Sequence, residues 1–247
     1  VHRPWRGLDD PGGLTPGGPM TYEPAAEIYG LETVAALHKS ASTLYLLAPH
    51  EPDVWPAFPA SAEYVDRERP DDPGFWATFT ASPEYADGAP DPLDRWSKRV
   101  IGALADAWGG VAMFPSDGPP YPPFIAWALA SGDVWTSPVG LLVHHRQGLW
   151  LSFRGAVRVP VRLPLPLGPA QSPCESCADQ PCRTACPAGA LTPGGYDTAA
   201  CHAWLDTAEG RDCLTRGCVV RRACPVSAGF GRSEDQSGFH MRAFHPR

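Results

Sequence analysis

The segment CESCADQPCRTACP, residues 174–187, constrains this chain more than any other part of it. No cysteine precedes Cys174, and all eight of the chain lie between Cys174 and Cys224. So many soft ligands on so short a stretch call for a disulfide framework, structural zinc or iron–sulfur clusters. The spacing favours the last. The first array reads C-x2-C-x4-C-x3-C-P, and the second, Cys201, Cys213, Cys218 and Cys224, again ends in Cys-Pro. Bacterial two-cluster ferredoxins use C-x2-C-x2-C-x3-C-P, and the thiol before the proline ligates the other cluster. On that rule Cys174, Cys177, Cys182 and Cys224 hold one 4Fe–4S cluster. Cys186, Cys201, Cys213 and Cys218 hold the second, and no thiol is left over.

The x4 gap in the first array and the loose x11, x4, x5 spacing of the second depart from the ferredoxin pattern, so the pairing stays open. Two alternatives also stay open. Eight cysteines can form a disulfide framework, although the start of the chain has neither the basic nor the apolar region of a secretory signal. Zinc needs two closed all-thiolate sites, and paired Cys-Pro endings are not a zinc habit. Thiols kept for metal imply a reducing compartment, so a cytoplasmic location is expected.

Charge narrows the partners. The net charge is −7 and the pI about 5.6, which counts against a polyanion, so nucleic acid is not an expected partner. Arg211, Arg216, Arg221, Arg222, Arg232 and Arg242 enrich the C-terminal third and leave room for a local basic patch. No apolar run approaches the roughly 20 residues of a membrane span, so no membrane is expected.

The rest of the chain reads as a larger α+β domain. Residues 1–20 are rich in Pro and Gly and read as disordered. PAAEIYGLETVAALHKSA has helical composition and STLYLLAP reads as a strand. Residues 51–92, rich in Pro, Asp and aromatics, are expected to be irregular. Leu93, Trp96, Val100, Leu104 and Trp108 recur on one face of a helix. VAMFP reads as a buried strand and PFIAWALAS as a second helix. VGLLVHH and GLWLSFRGAVRVPV read as strands of a hairpin turning through Arg146-Gln147-Gly148, with Gly148 at positive φ. RLPLPLGPAQSP is an extended connector. The expected plan is a disordered segment (1–20), an α+β domain (21–170) and a two-cluster ferredoxin domain (171–247). No G-x-G-x-x-G follows a strand, so no dinucleotide-binding unit is expected.

Resemblance carries the reading further. SPVGLLVHHRQGLWLSFRGAV, residues 137–157, resembles a stretch shared by CblC-type cobalamin-processing proteins and epoxyqueuosine reductases. PDPLDRWSKRVIGAL, FPSDGPPYPPFIAWALAS, GYDTAACHAWL, GCVVRRACP and FHMRAF resemble a bacterial group labelled only "ferredoxin". The likeness spans about residues 90 to 245. It implies a flavin-reductase (nitroreductase)-like front domain that holds cobalamin with its tail detached. It places Pro138, Gly140, Leu141, Leu142 and Val143 against the corrin, with His144, Trp150 and Arg154 nearby. The same segments also read as ordinary core strands. Without a D-x-H-x-x-G stretch, no histidine is expected to coordinate cobalt.

Asp117, in FPSDGPP, matches the place of a proton-donating aspartate in epoxyqueuosine reductases; a turn aspartate before Gly118-Pro119 is the plainer reading. The function implied is a corrinoid-linked iron–sulfur reductase that removes an axial or substrate group, fed by an external low-potential donor such as a flavodoxin or reductase. An epoxyqueuosine reductase-like enzyme and a non-catalytic dicluster electron carrier are the alternatives.

Overall fold

The computed structural model describes residues 29–51, 74–165, 168–169 and 171–246. The segment expected to be disordered, 1–20, lies outside them. Helices and strands are both present, as an α+β chain requires. The front half is built on a four-stranded antiparallel sheet in the order β1-β2-β6-β3. Its strands are β1 (Leu31–Lys39), β2 (Ser42–Pro49), β3 (Val111–Met113) and β6 (Gly155–Val159).

STLYLLAP becomes the central strand β2 because its side chains are apolar on both faces. Tyr45 and Leu47 meet Trp96, Val100, Ile101 and Leu104 of the amphipathic helix α3 (Pro92–Ala107). Leu44 and Leu46 face the other way, toward Phe124 and Ala128 of α4 (Phe124–Ser131).

Four expectations change. Residues 31–39 form strand β1, not helix. The apolar β2 needs a partner along its edge, and pairing from Leu31↔Pro49 to Lys39↔Ser42 overrides the Ala- and Glu-rich composition. Part of the segment expected to be irregular is helical: α1 (Gly74–Thr80) and α2 (Pro83–Ala86). Phe75 and Phe79 of α1 are fully buried beside Trp96, which supplies the packing that polar periodicity did not reveal. β3 is an edge strand, with Val111 54 % exposed, and not a buried one.

The long hairpin is absent. Gly148 does turn at φ +56°, and His144 and Gly148 exchange both backbone hydrogen bonds. However, β5 (Leu142–His144) pairs with β4 (Val134–Thr136), while β6 joins the main sheet. At Leu149 and Trp150, just past the turn, the C-terminal part of the chain takes backbone groups that a hairpin ladder would use. Leu149 N–H donates to Ser227 Oγ at 2.8 Å, Arg221 donates to the Leu149 carbonyl, and Arg232 donates to the Trp150 carbonyl at 3.2 Å.

Among the described residues, the cysteine-bearing part holds a short 3-10 turn (Pro181–Arg183), a small hairpin, β7 (Leu191–Thr192) and β8 (Gly195–Tyr196), and five α-helices. These are α5 (Thr198–Leu205), α6 (Arg211–Arg216), α7 (Val219–Ala223), α8 (Pro225–Gly229) and α9 (Glu234–Phe244). Its core is shared with the front half. Val139, Val143 and Leu149 pack with Cys182, Leu191, Val220 and Cys224. Phe239 of α9 packs among Trp76, Phe79 and Tyr85. The Pro-rich connector separates the parts in sequence, not in packing. Among the described residues no helix is long and apolar enough to cross a membrane.

Candidate functional site

The eight thiols are half-buried or buried, and none is in a disulfide. Their mutual electrostatic influence groups them. Cys174 feels Cys224 and Cys177, and Cys182 feels Cys224, Cys174 and Cys177. Cys201 feels Cys218 and Cys186, while Cys213 feels Cys218. These influences run within Cys174, Cys177, Cys182 and Cys224 and within Cys186, Cys201, Cys213 and Cys218; the latter four line one cavity, while Cys174, Cys182, Cys186, Cys218 and Cys224 share a core. Cys224 caps the N-terminus of α8, which Pro225 opens, and it packs with Cys182 and Cys174 of the first array.

Burial pushes the thiols of Cys174, Cys182, Cys201 and Cys213 above their ordinary values, and neighbouring thiols add to the rise. Thiolates there need either a metal or hydrogen-bond donors to carry their charge. Donors are present. Ala190 N–H points at Cys186 Sγ at 3.3 Å, Tyr196 at Cys201, and the Val219 amide at Cys213. Among the described residues no group of three or more His, Cys, Asp or Glu is close enough to hold a single metal ion. Thiols in fours, with amide and hydroxyl donors at Cys186, Cys201 and Cys213, are ligands of the kind a four-iron cluster takes.

The two sets differ in surroundings. The first lies behind a surface loop whose Glu175, Ser176, Ala178 and Asp179 are exposed. The second lines a cavity of about 220 Å³, together with Trp150, Tyr196, Arg221, Arg232 and His240.

The residues assigned to a corrin do not share one open face. Leu141 and Val143 pack onto the core that contains Cys182 and Cys224, and Leu142 packs onto the opposite core with Phe124 and Ala156. Pro138 is half-buried and Gly140 is exposed at φ +78°. His144 is 1 % exposed, and its Nδ1 accepts the amides of Arg146 (3.3 Å) and Gln147 (3.2 Å). Burial drives its pKa well below the ordinary value, so it is a neutral, turn-closing imidazole. Of the eight, Leu141 and Trp150 line the cavity; Arg154 lines a separate cleft of about 50 Å³. Ordinary small-molecule sites measure roughly 300–1,000 Å³, and a tetrapyrrole needs more than the space beside Trp150 offers.

Asp117 sits apart from the thiols. Its side chain is 43 % exposed, its Oδ2 accepts the Phe114 amide at 2.9 Å, and Lys98 Nζ lies 3.9 Å from Oδ1. The geometry is that of a turn cap.

The C-terminal arginines do not make one basic face. Arg216 pairs with Asp212 and Glu234, and Arg222 with Asp212. Arg221 and Arg232 turn inward. Arg232 lies over Trp150, 5.0 Å from its ring centre. Nothing in the local sequence around Arg232 marked it as a pocket residue; Ser237 and Tyr196 were missed for the same reason. Comparison with known proteins returns no matching family model, curated protein or solved structure.

Proposed function

We propose that this chain is an iron–sulfur oxidoreductase with two 4Fe–4S clusters, formed by a flavin-reductase-like α+β front part and a ferredoxin-like C-terminal part. The observation that carries this reading is the gathering of eight free thiols, four of which line one cavity. When bound, such clusters supply one-electron transfer over a range of roughly −700 to +450 mV. Cys174, Cys177, Cys182 and Cys224 lie next to the exposed loop, where an external donor docks. Cys186, Cys201, Cys213 and Cys218 lie next to the cavity, where the acceptor binds. Leu191, Val219 and Val220 exclude water between the sets. Arg221 places a fixed positive charge beside Cys218.

The corrinoid-linked reduction implied by resemblance gains no support from this geometry, because thiols and core residues cover the strand face assigned to the ring. Reduction of a nucleoside in tRNA gains none either, since the arginines are dispersed or turned inward. A non-catalytic dicluster carrier is the second reading, favoured by the small volume of the cavity.

The test is anaerobic purification, reduction with dithionite and EPR spectroscopy. Two reducible clusters are expected. Protein that holds zinc and shows no reduced-cluster signal would overturn the reading. Extraction for bound corrinoid in the same preparation tests the family-implied cofactor directly.

A further inference from the structure

The walls of the cavity are more positive than the thiols beside them require. Arg154, Arg221 and Arg232 are half-buried, with the Nε atoms of Arg154 and Arg232 shut off from solvent, and their charges act on one another: Arg232 feels both Arg221 and Arg154. His240 feels all three. Burial holds the pKa of each arginine below its ordinary value. Like charges gathered away from water repel strongly unless an anion compensates them.

The protein supplies little compensation. The carboxylates that act on these groups are Glu51, beside Arg232, and Asp94, toward Arg154. Asp94 is exposed. Glu51 is buried, and burial pushes its carboxyl to about 7, so it is only partly ionised at neutral pH. Of the three arginines, only Arg221 has thiol charge acting on it, from Cys218. A cluster at the second thiol set therefore accounts for Arg221 and leaves Arg154 and Arg232.

Hydrogen bonding tells the same story. The three guanidiniums donate to neutral oxygens: Arg221 to the Leu149 carbonyl, Arg232 to the Trp150 carbonyl, and Arg154 to Ser152 Oγ at 3.0 Å. Arg154 Nε, Arg232 Nε and His240 Nε2 are buried and find no acceptor. Unmet buried polar atoms of this kind, the two guanidinium N–H groups above all, are costly in a native fold. Stacking on Trp150 fixes the plane of Arg232 in advance, and a pre-set fork suits a planar or tetrahedral oxyanion.

We infer that the cavity walled by Arg221, Arg232 and His240, backed by Arg154, binds a small ligand through a carboxylate or phosphate group, next to the thiols of Cys186, Cys201, Cys213 and Cys218. That the ligand accepts electrons rests on the oxidoreductase reading above; that it binds does not. The four thiols line the same cavity of about 220 Å³, so a cluster on them takes part of that space and limits the ligand to little more than its anionic group.

Isothermal titration of the anaerobically prepared protein with inorganic phosphate, and separately with succinate, tests the inference. Saturable binding of one ligand per chain is expected for at least one probe. Arg232→Gln should weaken it roughly tenfold or more. Arg158→Gln, on an exposed position of β6, should leave it unchanged. Should Arg232→Gln fail to fold, the melting temperature of the unaltered protein supplies the answer. It should rise and saturate with the bound probe and not with uncharged succinamide. No saturable binding of either probe, or equal binding by Arg232→Gln, overturns the inference. Iron counted in the same samples separates the two claims. Anion binding without iron keeps the site and removes the oxidoreductase, and iron without anion binding does the reverse.

Discussion

Ser227 Oγ accepts the amide hydrogen of Leu149 at 2.8 Å, joining the first turn of α8 to the turn that follows β5. Gly148 lies against the same point. A Cβ built on it would fall 2.4 Å from the Ser227 backbone nitrogen, and its φ is +56°. The two residues fasten the cysteine-bearing part to the front half. Ser227→Ala strands a buried amide and should cost about 1–3 kcal/mol. Gly148→Ala should cost more, because a backbone atom cannot move aside cheaply and a left-handed alanine adds about 1–2 kcal/mol. Urea unfolding of both variants measures the difference.

The crossed thiol sets predict a pattern of iron loss. Cys224→Ser and Cys182→Ser each remove one cluster, about four of eight irons, and the double variant loses no more than either alone. Cys224→Ser with Cys213→Ser loses nearly all iron. Pairing in chain order, with Cys186 in the first set, would give the opposite result for the two doubles.

Glu51 sets a pH dependence of stability. Burial raises its carboxyl to about 7, against 4.5 for the free side chain, with Arg232 pulling the other way. The folded state thus binds the proton more tightly than the unfolded state. The stability this contributes is complete below about 4.5 and is lost as pH rises to about 7, by a few kcal/mol at most. Glu51→Gln should gain stability relative to the unaltered protein as pH rises from 5 to 8. His144, His145 and His240 act in the reverse sense below 6.5, because burial lowers their pKa values, and they cancel in the comparison. Denaturation midpoints at several pH values check the sign.

Asp117→Asn should change little. The amide oxygen still accepts the Phe114 amide, and the side chain is 43 % exposed. Stability is expected to stay within about 0.5–1 kcal/mol, with iron content unchanged. Loss of a cluster-dependent reduction in this variant would restore the proton-donor role drawn from resemblance.

What the sequence made legible follows from the range of the forces involved. Helix α3 was readable because Leu93, Trp96, Val100 and Leu104 repeat within one element. The clustering of the thiols was readable because all eight lie between Cys174 and Cys224. β1 was misread because its fate depends on β2, and the hairpin after β5 was misread because Ser227, Arg221 and Arg232 claim its backbone groups from far along the chain. The apolar run at 141–143 was legible as strand but not as to its partner. Nothing in GLLV says whether a ring or a set of cysteines will cover it. Arg154 and Arg232 meet only through tertiary packing, so their shared charge had no local trace.

Counting iron, acid-labile sulfide and zinc in anaerobically purified protein tests the two-cluster assignment most directly. About eight irons and eight sulfides per chain are predicted. About two zinc ions per chain with no sulfide would contradict it.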